Sequence, residues 1–523
     1  MIGPRSLLAA GVAGLVLFAA PPASAQGDDA AEDQEQEQEE GIEEPPPPDP
    51  AFRYTKPASP NYLRAAVEQA IVLGLGYLQY TTDKSNAADW DLTYDWASMR
   101  SKLVLDSISF DNNRFPTNWL THPGAGLAYY TAARSNRLGV LPSFAMAFAS
   151  SAFWEYVGEW KEQVALNDVI VTPISGMSLA EPLLQIGSLM HRSRQNTGTR
   201  IFGWVFAPIK SIHDRLDGLD PKQVDHVDDL GLPAEEHHRF RVGASAGVTH
   251  QENGLTQGDG RLRLESRIVA LPDYGLAGQH NGWFDSAEVS DLRVRGAISE
   301  NKIVDFDIEA SLLPFGYRWQ DVRLDDAGEL HGTSFLAGFH VGTEYGTHDY
   351  DRDGRRGIDR IALVGAGTTL EELFHLRGLM LRTRIDVFGS FAGVDAYALP
   401  EYERDYGALR LTSVLRYQGY YHAYGATVRP SLEIETGRFD VGGDIRLDFF
   451  DSITGLDVEP IARVPESPAH DRRIWSRAWL GFSPTKHFRV SLNGEHRQRH
   501  GTMPGASATR SEVGGYFGVD LVF

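Results

Sequence analysis

The chain has 523 residues, a formal net charge of −22 and no cysteine. An acidic balance of this size argues against a nucleic-acid-binding face, which needs clustered Lys and Arg. The missing thiols exclude disulfides, thiolate metal sites and a lipid-modified cysteine after a leader.

Residues 1–25 have the layout of a secretory signal peptide. Arg5 supplies the positive start, Leu7 to Ala20 the apolar stretch, and Ala23-Ser24-Ala25 a small-x-small cleavage step. That stretch is short for a membrane-crossing helix, and no later one reaches the roughly 18 apolar residues such a helix needs. Residues 26–60 read as a disordered linker. Gln26 to Pro50 holds eleven Asp/Glu and no Lys/Arg, with a stiff proline run from Pro45 to Pro48. It is either a solvated spacer or bait for a basic partner.

Residues 61–218 read as a helical module. Helices are predicted over Leu63–Tyr80, Gly124–Arg134, Leu141–Gln163 and Ser178–Met190, and a strand over Ser101–Phe110. Residues 219–236 are polar, with Pro221 and Pro233, and read as a linker.

From residue 237 to 523 the pattern changes to period two. Val304, Phe306, Ile308, Ala310 and Leu312 alternate with Asp305, Asp307, Glu309 and Ser311. Phe439, Val441, Ile445, Leu447 and Phe449 stand against Asp440, Asp444, Arg446 and Asp448 in the same way. Segments near ten residues long, repeated about a dozen times, with charges of both signs on the polar face, predict a transmembrane antiparallel β-barrel. The polar face would line a lumen with Glu433, Asp444 and Asp448 opposite Arg382, Arg384, Arg489 and Arg497. Such charges can cross-link the walls and close the lumen, or line a narrow pore. An even strand count puts both barrel ends in the periplasm, so the helical module would be periplasmic or a lumenal plug.

The last residues carry a resemblance. Tyr516, Gly518, Leu521 and Phe523 match the closing signal of outer-membrane barrel proteins, which the barrel-insertion machinery reads. Outer-membrane lipid would then meet the face of Phe517, Val519, Leu521 and Phe523. A soluble periplasmic β-protein is the alternative.

Within the helical module, Asn118 to Glu181 sets single polar residues inside apolar stretches. His122-Pro123-Gly124-Ala125-Gly126, Trp154-Glu155-Tyr156, Asn167-Asp168 with Thr172-Pro173, then Gly176 and Glu181 follow in order. At these residues, roughly Ile108 to Ser193, the chain resembles the bacterial family Domain of Unknown Function 3943. Ala180 departs from the Gly expected beside the Glu. The resemblance implies an exported, membrane-associated protein and no known activity.

His122, Glu155, Glu159, Asp168 and Glu181 are the candidate site residues. They can converge as a His/carboxylate metal site, as an acid/base pair split by burial, or as a structural network in which Gly126 and Gly176 permit close packing. No nucleophile elbow, His-Glu-x-x-His or phosphate loop is present. Asp349, Asp351, Asp353 and Asp359 resemble the start of a calcium loop, but Arg360 stands where the closing Glu is expected. No other cofactor is indicated, and the sequence names no small-molecule ligand. Two functions follow: a non-enzymatic outer-membrane barrel for envelope structure or transport, and a membrane-embedded enzyme acting on envelope lipid or glycan through the His/carboxylate residues.

Overall fold

The computed structural model describes residues 49–82, 95–104, 107–300, 302–352, 355–407, 411–456 and 467–523. Residues 1–25, read from sequence as a signal peptide, lie outside the described residues, as does most of the segment read as an acidic linker. Everything described falls within one compact unit, Glu44–Phe523.

Twelve antiparallel strands close a ring among the described residues. In chain order they are β3 (His237–Gln251), β4 (Thr256–Val269), β6 (Val289–Ser299), β7 (Lys302–Leu313), β9 (Leu330–Arg352), β10 (Arg355–Leu376), β11 (Leu379–Asp395), β12 (Tyr420–Thr436), β13 (Phe439–Ser452), β14 (His470–Thr485), β15 (Phe488–Met503) and β16 (Ala506–Val522). Two two-residue strands precede them and pair in parallel, β1 (Ile108–Ser109) with β2 (Val164–Ala165). A side pair, β5 (Gly278–Phe284) and β8 (Gly316–Leu324), hangs on the extended end of β9. The ring closes where β16 pairs with β3, Val522 opposite Arg241 and Phe517 opposite Ala246. Closure leaves no free edge within the twelve-strand ring.

Alternation sorts the side chains. The inward faces join strands that are not neighbours: Arg239–Glu433 at 2.7 Å, Arg267–Glu371 at 2.7 Å, Arg384–Asp291 at 2.8 Å, Arg429–Glu309 at 2.9 Å and Arg497–Asp305 at 2.6 Å. These bonds cross the lumen and pair its buried charges. Trp475 stands among them, with the guanidinium groups of Arg295 and Arg497 4.4 and 4.2 Å from its ring centre. A cavity of about 230 Å³ remains in this network.

Apolar clusters occupy both ends of the lumen. At the end where the ring begins and finishes, the segment after β4 folds inward. Leu271 and Tyr274 pack there on Val269, Leu313, Leu336 and Leu373. At the far end, the connection from β11 to β12 carries α8 (Leu399–Tyr406) and α9 (Ser413–Gln418). Helix α8 reaches across to β16. Leu399, Tyr402 and Leu415 join Leu363, Val394, Tyr421, Phe450 and Met503 in one buried cluster.

The helical module comprises α1 (Tyr62–Thr82), α2 (Trp96–Leu103), α3 (His122–Ser135), α4 (Val140–Phe153), α5 (Leu166–Arg192), α6 (Thr197–Phe206) and α7 (Pro208–Asp217). Among the described residues α5 alone is long and apolar enough to cross a membrane, and most of it is buried. It packs against α3, α4 and α6 and against β6, β7, β9 and β10. Its barrel partners Ile268, Leu292, Ala310, Leu312, Val341, Ala362 and Val364 belong to the outward faces of their strands. Ser178 Oγ shares a 2.6 Å hydrogen bond with Thr343, the outward neighbour of lumenal Glu344. The module therefore lies outside the ring, against its outer wall. It is not a plug in the lumen, which corrects that alternative from the sequence.

Two element predictions also change. Residues 101–110 are not a strand: α2 occupies their start, and only Ile108–Ser109 is extended. Helix α5 begins twelve residues before Ser178 and runs through Pro173 and Pro182. Burial on nearly every side holds a helix that two prolines would otherwise interrupt. Helices α3 and α5 meet at Gly126 and Gly176. A Cβ on Gly126 would fall 1.8 Å from the Thr172 carbonyl oxygen, and one on Gly176 2.4 Å from that of Gly126.

Candidate functional site

The site sits where α5 begins, beside the far ends of β11 and β12. Trp119 stacks on Phe391 with ring centres 5.7 Å apart, seated where a side chain on Gly393 would stand. Asn118 Nδ2 donates to the Tyr420 hydroxyl at 2.9 Å, and the Tyr420 hydroxyl donates to the Asn113 carbonyl at 2.9 Å. Phe110 N donates to Leu456 O at 2.7 Å. These bonds tie the segment after β1 to the barrel wall.

Two π-helical turns flank the site. Thr117–Thr121 runs directly into α3 and delivers His122; Trp154–Gly158 ends α4 and holds Glu155. Such turns insert a residue into the helical register, so His122 and Glu155 need not follow the face that a regular helix assigns. His122 Nε2 lies 3.4 Å from Asp168 Oδ2. Asn167 Nδ2 donates to Asp168 Oδ1 at 2.7 Å, while its Oδ1 accepts from Asp111 N at 2.9 Å. One amide thus spaces Asp111 and Asp168. Ligand atoms of Asp111, His122 and Asp168 all lie within 4.8 Å of one another.

Glu155 and Glu159 line the same region. Glu155 Oε2 accepts from Ala165 N at 2.8 Å, just before α5. Glu159 Oε1 accepts from Trp154 Nε1 at 2.9 Å. Lys102 Nζ donates to the backbone carbonyls of Glu155 and Glu159, at 2.5 Å each, rather than to a carboxylate. The carboxylates of Asp111, Glu155, Glu159 and Asp168 repel one another across the site. Burial lifts the Asp111 carboxyl to about 6, against the pull of its Asn113 hydrogen bonds.

The candidates therefore divide. His122, Glu155, Glu159 and Asp168 come together. Glu181 does not: fully buried, it holds Arg134 through Nε at 2.8 Å and Nη2 at 2.9 Å, and accepts from the Tyr130 hydroxyl at 2.8 Å. Arg134 also donates to both oxygens of Asp49. Reading from sequence missed Asp111, Lys102 and the barrel residue Tyr420. Asp111-Asn112-Asn113 looks like an ordinary Asx turn, and nothing local marks a lysine that will be 1% exposed.

Of the four calcium-like residues, Asp349 and Asp359 have described side chains. Asp349 lies on β9 opposite Ile358, and Asp353 lies outside the described residues. Asp359 is on the lumenal face of β10, paired with Arg499 and 3.6 Å from Arg510. It faces these cations rather than the turn.

Residues 107–209 match the family described as Domain of unknown function (DUF3943). The DUF3943 segment thus runs from β1 into α7 and contains the whole His/carboxylate cluster, the Arg134–Glu181 pair and the α3–α5 crossing. No curated protein matches the chain. Solved structures similar to it include the loop L8 deletion mutant of OmpT, an outer membrane protein of Vibrio cholerae. That match has 6% identity and a TM-score of 0.23, covering 55% of this chain and 100% of that one. The translocator domain of autotransporter NalP from Neisseria meningitidis matches at 10% identity and TM-score 0.20, covering 60% of this chain and 95% of that one. The P. putida toluene transporter TodX matches at 10% identity and TM-score 0.21, covering 55% and 90%. Scores this low carry no argument; the closed barrel is read from its own strand pairings.

Proposed function

We propose that this is an outer-membrane barrel whose lumen is sealed and whose outer wall carries the DUF3943 segment, serving envelope structure rather than passage through the lumen. The observation that carries this is the content of the lumen: charge pairs bridging opposite walls, with an apolar cluster at each end. Exposed outward residues such as Val441, Leu480, Leu492 and Phe517 support contact with lipid. The apolar closing strand supports handling by the barrel-insertion machinery. A barrel in a bilayer places whatever covers its wall at bilayer depth. The bundle's outermost stripe agrees, since Leu63, Val67, Ile71, Leu75 and Leu78 of α1 are all exposed. Reconstitution into planar bilayers tests the sealed lumen. Baseline conductance is expected; reproducible single-channel steps would show a pore.

Convergence of Asp111, His122 and Asp168 favours a second reading, an enzyme acting on envelope lipid or glycan at the barrel's flank. Altered envelope composition in His122→Ala cells, with barrel levels unchanged, would favour it over the scaffold.

A further inference from the structure

We propose that Asp111, His122 and Asp168 bind a divalent first-row transition-metal ion of the Zn²⁺ class. One imidazole nitrogen and two carboxylates from separate parts of the chain present ligand atoms within 4.8 Å of one another. Tetrahedral ligands about 2.1 Å from one ion stand about 3.4 Å apart; His122 and Asp168 already have that separation, 3.4 Å, and Asp111 closes onto the ion by a shift on the order of 1 Å. One imidazole with two oxygen donors suits zinc or its first-row neighbours better than calcium, which takes six or more oxygens.

The surroundings are those of a supported site. Asn167 holds the Asp168 carboxylate and the Asp111 backbone with opposite ends of one amide, which fixes the spacing of two ligands. The second, independent observation is Asn118. It is 1% exposed, stands one helical turn before His122, and its amide reaches toward the Asp111 carbonyl at 3.4 Å. Its Oδ1 is buried with no hydrogen-bond partner among the described residues. A buried acceptor on the side chain whose other end meets the Asp111 carbonyl has a use beside a cation or a cation-bound water.

Asp111, Asp168, Glu155 and Glu159 crowd one region, and the Lys102 ammonium beside them donates to backbone carbonyls. A divalent ion favours the ionised form of the carboxylates that hold it. The His122 side chain is 19% exposed and that of Asp168 4%. This inference does not depend on whether the barrel is a scaffold or an enzyme.

Equilibrium dialysis of the detergent-purified full chain against Zn²⁺, read by elemental analysis, tests it. One Zn²⁺ per chain is expected, with affinity lowered at least tenfold in His122→Ala and in Asp168→Asn. Asn167→Ala should lose roughly 10–100-fold, as an outer-shell support does. Co²⁺ added to the unmodified chain should give visible absorption that Zn²⁺ abolishes, a readout that needs no variant to fold. Substoichiometric Zn²⁺ with no Co²⁺ spectrum, or unchanged Zn²⁺ affinity in a folded His122→Ala chain, overturns the proposal.

Discussion

Glu181 and Asp168 are both acidic residues in the apolar helix α5, yet their neighbourhoods assign them different work. Glu181 meets Arg134 through two hydrogen bonds, with both side chains at 0% exposure. Removing Glu181 leaves buried Arg134 with Asp49 as its remaining carboxylate partner. Glu181→Ala is therefore expected to destabilise the fold by about 1.5–3 kcal/mol, the scale of lost hydrogen bonds to a charged group, measured by denaturant titration. The apolar pair Glu181→Leu with Arg134→Met should recover most of that loss, since the carboxylate then left without its arginine, Asp49, is 23% exposed. An unstable single variant that the double variant does not rescue would mean that Glu181 does more than balance Arg134. Asp168 has no arginine; its neighbours are His122 and Asn167. From sequence the two residues look alike, because an isolated carboxylate in an apolar run signals only that a partner exists. The partner is distant in the chain, and its identity decides between ion pair and site.

At the scale of elements, the strands were legible and the placement of the helices was not. Alternation assigned Asp305, Asp307 and Glu309 to one face and Phe306, Ile308 and Ala310 to the other, and the pairings keep that division. An outward apolar face reads the same whether lipid or a helix covers it, so residues such as Ala310 and Leu312 gave no hint of α5. The charged lumenal faces gave a clearer signal, because an apolar helix could not have filled a lumen lined by arginines and carboxylates. The helices themselves carry a testable division. Ile71 and Leu75 face outward on α1, whereas Gln69 turns inward to donate to the Tyr129 carbonyl and accept from Ser150. Because the chain has no cysteine, Ile71→Cys, Leu75→Cys and Gln69→Cys each create a single label site. Spin labels at 71 and 75 should relax with membrane-dissolved oxygen and not with a water-soluble nickel chelate. A nickel response at both outer positions would place the bundle in water.

The whole molecule combines a filled barrel with a helical bundle on one side of it. The strand number and the charged interior follow from period two and from the balance of Arg with Asp and Glu. The filled ends arise from connections that fold inward, α8 at one end and the Leu271–Tyr274 segment at the other, and such tertiary returns leave no periodic trace. The His/carboxylate cluster lies on the flank, where the DUF3943 segment meets the far ends of β11 and β12. That view rests on the bundle lying outside the ring. Its most direct measurement is disulfide trapping in native membranes, with Ser178→Cys paired either with Thr343→Cys or with Glu344→Cys. The hydroxyls of Ser178 and Thr343 are 2.6 Å apart, while Glu344 turns into the lumen. A crosslink through position 343 and none through 344 is the predicted result; a crosslink through 344 alone, or through neither, would contradict it.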